Sequence, residues 1–245
     1  MSGQGFHWFR KFSLGCLSFL LMFALFCRYF LAEPLIWKET AATPVSAATP
    51  VFVLDAGHGG EDCGAIGVNG VYEKDINLKI TTYLSAELRL AGYTVVETRT
   101  NDALLYDPAT VEKGHKKATD LANRLKIANE TAGAIVVSIH MNSFPQPSSR
   151  GLQVWYSIGA SDASRLANGI QARVRDALQN ENHRKAKETT GALYLLDHAE
   201  HPTVLIECGF LSNPEECARL TDDAYQKELS FVLFCAMMEY INQDV

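Results

Sequence analysis

Four residues whose side chains can bind a metal or move a proton stand at the ends or starts of predicted secondary-structure elements. His58 follows the apolar run VFVLDAG, His140 follows AIVVSI, and Glu207 follows TVLI. Glu73 opens a helical pattern in VYEKDINL. Two neutral imidazoles and a carboxylate suit Zn²⁺ and leave a coordination position open for water. A further carboxylate outside the metal shell can accept the proton of that water, which makes hydrolysis the expected chemistry.

Each of the four residues also has a structural interpretation. A glycine-flanked histidine is common in turns, and Glu73 could complement the dipole of the helix that it opens. His140 could cap a strand by hydrogen bonding. Glu207 is the hardest to explain in this way, because a carboxylate that ends a buried apolar strand is costly to bury unless it is paired or metal-bound.

The elements that must position these residues alternate between strand and helix patterns from Val51 onward. The sequence predicts buried strands at VFVLDA, YTVVETR, AIVVSIH and TVLIE, a strand near an edge at LQVWYS, and a short strand or extended piece at ALYLL. Apolar residues three and four positions apart predict the helices between them. This alternation favours an α/β fold with a mostly parallel, twisted sheet and helices on both faces. Ligands bind beyond the carboxyl ends of such strands, so the four residues are expected to meet there.

The amino terminus differs from the rest of the chain. After Arg10 and Lys11, residues 12–27 carry no charge, and apolar character continues beyond Arg28. Residues 1–33 are therefore predicted to be a signal anchor that forms a membrane segment, or else a cleaved signal peptide. Residues 34–49, rich in Ala, Thr and Pro, predict a linker, and residues 50–245 predict one catalytic domain. The domain is expected to be exported and either membrane-anchored or secreted.

Composition argues against one class of partner. The chain carries 22 Lys and Arg against 28 Asp and Glu, for a net charge of −6. No basic surface for nucleic acid is indicated, and nucleic acid is not predicted as a partner.

The cysteines of the predicted domain are Cys63, Cys208, Cys217 and Cys235. They lack CxxC spacing, so free thiols are favoured over a zinc knuckle or disulfides. His198 and His201 form an HxxH pair before Pro202, for which we predict a loop rather than a metal site.

Five motifs together resemble the zinc-dependent N-acetylmuramoyl-L-alanine amidases of the type-3 amidase family. They are DAGHGGEDCGAIGVNGVYEKDINL, TRTND, SIHMNS, GLQVWY and TVLIECGFLSNPEE, and the resemblance covers about residues 50–242. It implies that the zinc ligands are His58, Glu73 and His140. It also implies that Glu207 is the catalytic glutamate, and that Arg99 and Asn142 bind substrate at the rim of the site.

Within that family, the chain most resembles the small germination-specific amidases of endospore formers, and its last third is the most similar stretch. This implies hydrolysis of the amide bond between N-acetylmuramic acid and L-alanine in peptidoglycan, in the cell wall or the forespore intermembrane space. The resemblance further implies a role in maturation of the spore cortex, where a deacetylase then forms muramic-δ-lactam. The alternatives are a general cell-wall autolysin, a non-catalytic peptidoglycan-binding module, and a zinc carboxypeptidase that cuts within the stem peptide.

Regulation by a separate protein is a further hypothesis. Some members of the family block their site with an inserted helix. Here only IGASD separates LQVWYS from the next predicted helix, which leaves no room for such an insertion. We therefore hypothesise an exported protein partner that regulates activity or zinc retention.

Overall fold

The computed structural model describes residues 49–106 and 115–242. The predicted signal anchor and nearly all of the predicted linker lie outside these residues. Within the described part of the chain, no helix has both the length and the apolar character that crossing a membrane requires.

Strands and helices follow one another in nearly the predicted order. The strands are β1 (Val51–Ala56), β2 (Thr94–Glu97), β3 (Ala134–Asn142), β4 (Gln153–Tyr156), β5 (Lys187–Glu188) and β6 (Thr203–Phe210). The helices are α1 (Glu73–Leu90), α2 (Lys116–Glu130), α3 (Ser161–Leu178), α4 (Tyr194–His198), α5 (Pro214–Thr221) and α6 (Asp223–Asn242).

The described strands form one sheet in the order β2-β1-β3-β6-β4-β5. Strand β1 pairs in parallel with β2 and β3, and β3 pairs in parallel with β6. Strand β4 runs antiparallel to β6 and carries the two-residue β5 on its outer side. The prediction of a mostly parallel sheet is confirmed, and the parallel strands bring their carboxyl ends to one edge.

Side chains alternate between the two faces of the sheet, as the strand period of two requires. Phe52 and Leu54 belong to the larger core, which includes residues of α1, α3, α5 and α6. Val53 and Leu205 belong to a smaller core on the other side, with residues of α2 and α4. Helices therefore cover both faces of the sheet. Glu207 lies two residues after Leu205 and is paired with His140, so both side chains are on the face covered by the thinner α2/α4 layer.

The prediction of a strand or extended piece at ALYLL is wrong, because residues 194–198 form the short helix α4. A short apolar run does not distinguish a strand from a helix by its period alone. The helix is fixed by Asp197, whose carboxylate accepts hydrogen bonds from the Leu193 amide and the Thr189 hydroxyl, both at 2.8 Å. Leu195 and Leu196 are buried against the smaller core.

Candidate active site

His58, Glu73 and His140 converge at the carboxyl edge of the sheet. Each offers a ligand atom, and these atoms lie within 4.8 Å of one another. Glu73 Oε1 is 3.3 Å from His58 Nε2 and 2.9 Å from His140 Nδ1. The two imidazole rings meet edge to face, with their centroids 4.9 Å apart. Residues separated by up to 82 positions in the chain thus present two nitrogen donors and one oxygen donor to the same small volume.

His58 adopts a strained backbone conformation in the loop after β1. Its φ of 61° is the one positive value at a non-glycine residue in the described chain, and such strain costs about 1–3 kcal/mol. The ring is held by Asp62, whose Oδ2 lies 2.9 Å from His58 Nδ1. An ionised carboxylate only accepts hydrogen bonds, so Nδ1 donates and Nε2 is left free to face Glu73.

The environment of His58 also changes its acidity. Burial alone would lower the pKa of His58, but the hydrogen bonds and negative charges of Glu73 and Asp62 outweigh burial and raise it above 6.5. Sequence reasoning missed Asp62, although its position four residues after His58 was the available signal.

His140 lies inside β3, where it is paired in register with Glu207 of β6. Both strands continue for two or three residues beyond these positions, so neither residue ends its strand as the sequence suggested. A Cβ at Gly57 would lie 2.2 Å from the imidazole ring of His140. Glycine at position 57 is therefore required for the end of β1 to pass beside that ring.

Glu73 is the first residue of α1 and its side chain is only 4% exposed. Its Oε1 accepts a hydrogen bond from the Met141 amide at 3.0 Å, and its Oε2 accepts one from the Ala65 amide at 2.8 Å. Burial alone would raise the pKa of Glu73, but hydrogen bonds with His140 and His58, and the charges of those two residues, hold it far below its usual range. Glu73 is thus an oriented, ionised carboxylate.

Glu207, on the strand next to that of His140, has an environment that contrasts with that of Glu73. Its Oε2 is buried and has no hydrogen-bond partner among the described residues. Burial raises the pKa of Glu207 to about 7; the charge of His140 opposes the shift and the charge of Glu73 reinforces it. A carboxyl group that exchanges a proton near neutral pH is suited to general acid–base chemistry.

Arg99 and Asn142 occupy different kinds of position. Arg99 is 4% exposed, and its guanidinium donates to backbone carbonyls only, namely those of Ala56, Gly57, Lys74 and Asn101. These contacts hold the end of β1 and give no support to substrate binding at the rim. Asn142 ends β3 and is partly buried, two residues beyond His140. Its carbonyl accepts a hydrogen bond from the Leu211 amide at 2.8 Å.

The HxxH pair does not join the cluster. His198 ends α4, where its ring stacks on Tyr194 with centroids 4.5 Å apart. His201 lies in the turn before β6, and its carbonyl accepts a hydrogen bond from the Thr203 hydroxyl at 2.8 Å.

The cysteines of the described chain are free thiols, and Cys63 is hydrogen-bonded to the Gly64 carbonyl at 3.3 Å.

A buried ionic network beneath the cluster was also missed from the sequence. Arg124 of α2 lies 2.6 Å from Asp55 and 2.7 Å from Asp120, and its side chain is 2% exposed. Asp55 also accepts a hydrogen bond from the Ser138 hydroxyl at 2.6 Å. Burial opposes ionisation of Asp55, but Arg124 and the hydroxyl donors lower its pKa to about 2. The available signals were an acid within the apolar VFVLDA run and the four-residue spacing of Asp120 and Arg124.

A cavity of about 270 Å³ opens beside the two histidines. It is lined by His58, His140, Leu205, residues of α2 and the segment 192–195. The cavity therefore borders two of the three cluster residues, on the α2/α4 side of the sheet.

Comparisons with known proteins agree with the resemblance of the motifs. Residues 52–233 match the family model described as N-acetylmuramoyl-L-alanine amidase. The germination-specific N-acetylmuramoyl-L-alanine amidase of Bacillus subtilis (strain 168) is 33% identical over 227 residues, which are 93% of each chain.

Solved structures give the same family. The CwlD amidase of Clostridioides difficile, solved in complex with the GerS lipoprotein, superposes with a TM-score of 0.75 at 36% identity, covering 79% of this chain and 98% of that one. The catalytic domain of CwlV from Bacillus (Paenibacillus) polymyxa superposes with a TM-score of 0.65 at 28% identity, with the same coverages. The chain therefore belongs to the N-acetylmuramoyl-L-alanine amidase family and is a peptidoglycan amidase.

Proposed function

We propose that this amidase depends on zinc held by His58, Glu73 and His140, with Glu207 as its general base and acid. The observation that carries the proposal is the convergence of three ligand atoms within 4.8 Å. Two imidazole nitrogens and a carboxylate oxygen match the donor set of catalytic zinc sites that keep one position open. The contacts of Asp62 with His58 and of two backbone amides with Glu73 orient these donors, as outer-shell partners do in zinc enzymes.

The reaction cleaves the amide bond between the lactyl carbonyl of N-acetylmuramic acid and the nitrogen of L-alanine. When bound, zinc supplies Lewis-acid polarisation of that carbonyl and makes water more acidic. Glu207 accepts the proton of the attacking water and then donates it to the leaving nitrogen, because an amide nitrogen leaves poorly unless it is protonated. In the metal-free site, burial already raises the pKa of Glu207 to about 7, above that of an ordinary carboxyl group.

The two proposed substrate-binding residues receive different support. Asn142 lies two residues from His140 at the end of β3, and we propose that its side-chain amide contacts the substrate beside the scissile bond. Arg99 remains a proposed site residue, but its guanidinium already donates hydrogen bonds to four backbone carbonyls. We expect Arg99 to influence the substrate through the loop that it holds.

Digestion of purified peptidoglycan by the full-length protein tests the zinc proposal. Mass spectrometry is expected to find intact stem peptides that begin with L-alanine. A chelator should abolish their release, and added zinc should restore it, with Glu207→Gln as the inactive control. Undiminished release after complete removal of the metal would contradict the proposal, and cuts within the stem peptide would indicate a carboxypeptidase.

We propose that the physiological role is maturation of the spore cortex, where peptide removal precedes formation of muramic-δ-lactam by a deacetylase. The 33% identity to the germination-specific Bacillus subtilis amidase over 93% of each chain supports this role. Expression of the chain in Bacillus subtilis that lacks its own germination-specific amidase is expected to restore muramic-δ-lactam, whereas Glu207→Gln is not. Failure of the active chain to restore the lactam would favour a general autolysin.

We also propose the organisation and location of the chain. Residues 1–33 are a signal anchor or signal peptide, residues 34–49 are a linker, and residues 50–245 are the exported catalytic domain. Amino-terminal sequencing of the mature protein distinguishes a retained anchor from a cleaved peptide. Recovery of the uncleaved protein in the cytoplasmic fraction would contradict export.

An exported protein partner is proposed to regulate the enzyme. Support comes from the Clostridioides difficile relative, which was solved in complex with the GerS lipoprotein. Only residues 157–160 connect β4 to α3, so this connection contains no helix that could block the site. Full turnover and stable zinc in the purified chain alone would argue against a required partner.

A further inference from the structure

The backbone carbonyls after β1 accept hydrogen bonds from two buried arginines. The Ala56 carbonyl accepts from Arg99 Nε at 2.8 Å and from Arg124 Nη1 at 2.7 Å. The Gly57 carbonyl accepts from Arg99 Nη2 at 3.0 Å. The His58 carbonyl accepts from Arg124 Nη2 at 2.7 Å. Of the two arginines, Arg124 is the one that contacts His58 itself.

Arg124 is fixed from several directions. Its Nε lies 2.7 Å from Asp120 on the same helix, and its Nη1 lies 2.6 Å from Asp55 on β1. These two carboxylates compensate its buried charge. Because a guanidinium is planar and presents its donors in fixed directions, the position of Arg124 determines where the carbonyls of Ala56 and His58 lie.

His58 needs such support because its φ of 61° is a conformation that non-glycine residues rarely adopt. Asp62 fixes the imidazole ring through Nδ1, but it makes no hydrogen bond with the His58 carbonyl. The hydrogen bond from Arg124 constrains the backbone of His58. Both the backbone and the ring of His58 are therefore held while the imidazole faces Glu73 and His140.

We propose that Arg124 is a positioning residue of the metal site, which binds the carbonyl oxygens of Ala56 and His58, holds His58 in its left-handed conformation and thereby sets zinc affinity. The inference rests on the proposed function of His58 as a zinc ligand. It assigns a metal-binding effect to a side chain that offers no ligand atom of its own.

Arg124→Lys in the full-length chain tests this inference. Lysine keeps a positive charge near Asp55 and Asp120, but a single ammonium cannot reproduce the fork that holds two carbonyls. Zinc affinity, measured by competition with a chromophoric chelator, is expected to fall about 10–100-fold, the range seen for outer-shell partners. Added zinc should recover most of the lost turnover. A merely structural role would lower the melting temperature and leave the zinc affinity of the folded protein unchanged.

Arg99→Lys is the matched control. Arg99 is also buried and also binds the Ala56 carbonyl, but it makes no hydrogen bond to His58. We expect Arg99→Lys to lower the melting temperature while zinc affinity stays within about threefold of wild type, less than the loss of an outer-shell partner causes. Equal losses of zinc affinity in the two variants would overturn the inference.

Asp120→Asn provides a second test if Arg124→Lys does not fold. It keeps the guanidinium but removes the charge that orients its Nε, so we expect a smaller fall in zinc affinity in the same direction. Wild-type protein that binds no zinc would defeat the proposed function. If the wild-type protein binds zinc and Asp120→Asn binds it with the same affinity, the positioning role of Arg124 is overturned and the proposed function is not.

Discussion

Two glutamates stand in contrasting surroundings at the carboxyl edge of the sheet. Glu73, at the start of α1, accepts hydrogen bonds from two backbone amides and lies beside both histidines. Glu207, in the middle of β6, has a buried carboxylate oxygen with no hydrogen-bond partner among the described residues. The pKa of Glu73 is held far below its usual range by its neighbours, whereas burial raises the pKa of Glu207 to about 7.

The contrast shows how environment gives two identical side chains opposite shifts of pKa. A carboxylate that stays ionised and fixed in direction can ligate a cation throughout the neutral range. A carboxylate that exchanges a proton near neutral pH can serve as base and then as acid. We therefore expect substitution of Glu73 to remove the metal and substitution of Glu207 to remove turnover alone.

The largest effect is expected from loss of a ligand. In Glu73→Gln and His140→Ala, zinc affinity should fall by more than about 100-fold, beyond the range for outer-shell contacts, and activity should fall to background. Elemental analysis of the purified variants checks the loss. Full zinc occupancy in either variant would remove that residue from the proposed ligand set.

Glu207→Gln is expected to separate metal binding from catalysis. Turnover should fall by about 10²–10⁴-fold, the usual contribution of general acid–base catalysis, because the amide cannot accept the proton of water. Zinc content should match that of wild type. Near-normal hydrolysis of peptidoglycan by this variant would exclude Glu207 from the mechanism.

The pH dependence of zinc binding tests the environment of the histidines. Zinc binds the neutral imidazole, and Glu73 and Asp62 outweigh burial to raise the pKa of His58 above 6.5. As pH falls through that raised pKa, His58 protonates and zinc affinity should decline by up to about tenfold per pH unit. In Asp62→Asn the decline should begin at a lower pH, because one of the two charges that raise the pKa is gone. A decline at the same pH in both proteins would contradict this assignment.

The smallest effects are expected at the HxxH pair. His198→Ala and His201→Ala should each change zinc affinity and turnover by less than about twofold, as is usual for substitutions away from a site. Parallel zinc titrations and peptide-release assays of the two variants check this. A large loss of zinc in either variant would show that the cluster of His58, Glu73 and His140 is not the metal site.

The proximity of these residues could be predicted because each lies at or near the end of a recognisable strand or at the start of a helix. Parallel strands bring their carboxyl ends together, so strand patterns that ended in His58, His140 and Glu207 already implied proximity. The contacts of Asp62 and Arg124 with the site could not be predicted in this way. Their partners are a ring nitrogen and carbonyl oxygens in particular orientations, and orientation depends on the folded backbone.

Arg99 and α4 illustrate two further limits of sequence reasoning. The acceptors of Arg99 are main-chain carbonyls, which every residue has, so no sequence pattern indicates that its guanidinium is already engaged. The run ALYLL is apolar at consecutive positions and has no period that would separate a helix from a strand. Its helical conformation depends on contacts of Asp197 with Thr189, which lies upstream of the run, and with Leu193, the first leucine of the run.

Anomalous diffraction at the zinc edge, from crystals of the zinc-loaded protein, tests the central claim most directly. The account predicts a strong peak about 2.0–2.2 Å from a nitrogen of His58, a nitrogen of His140 and an oxygen of Glu73, with the carboxylate of Glu207 outside ligand distance. A peak elsewhere in the molecule, or direct ligation by Glu207 in place of Glu73, would contradict it.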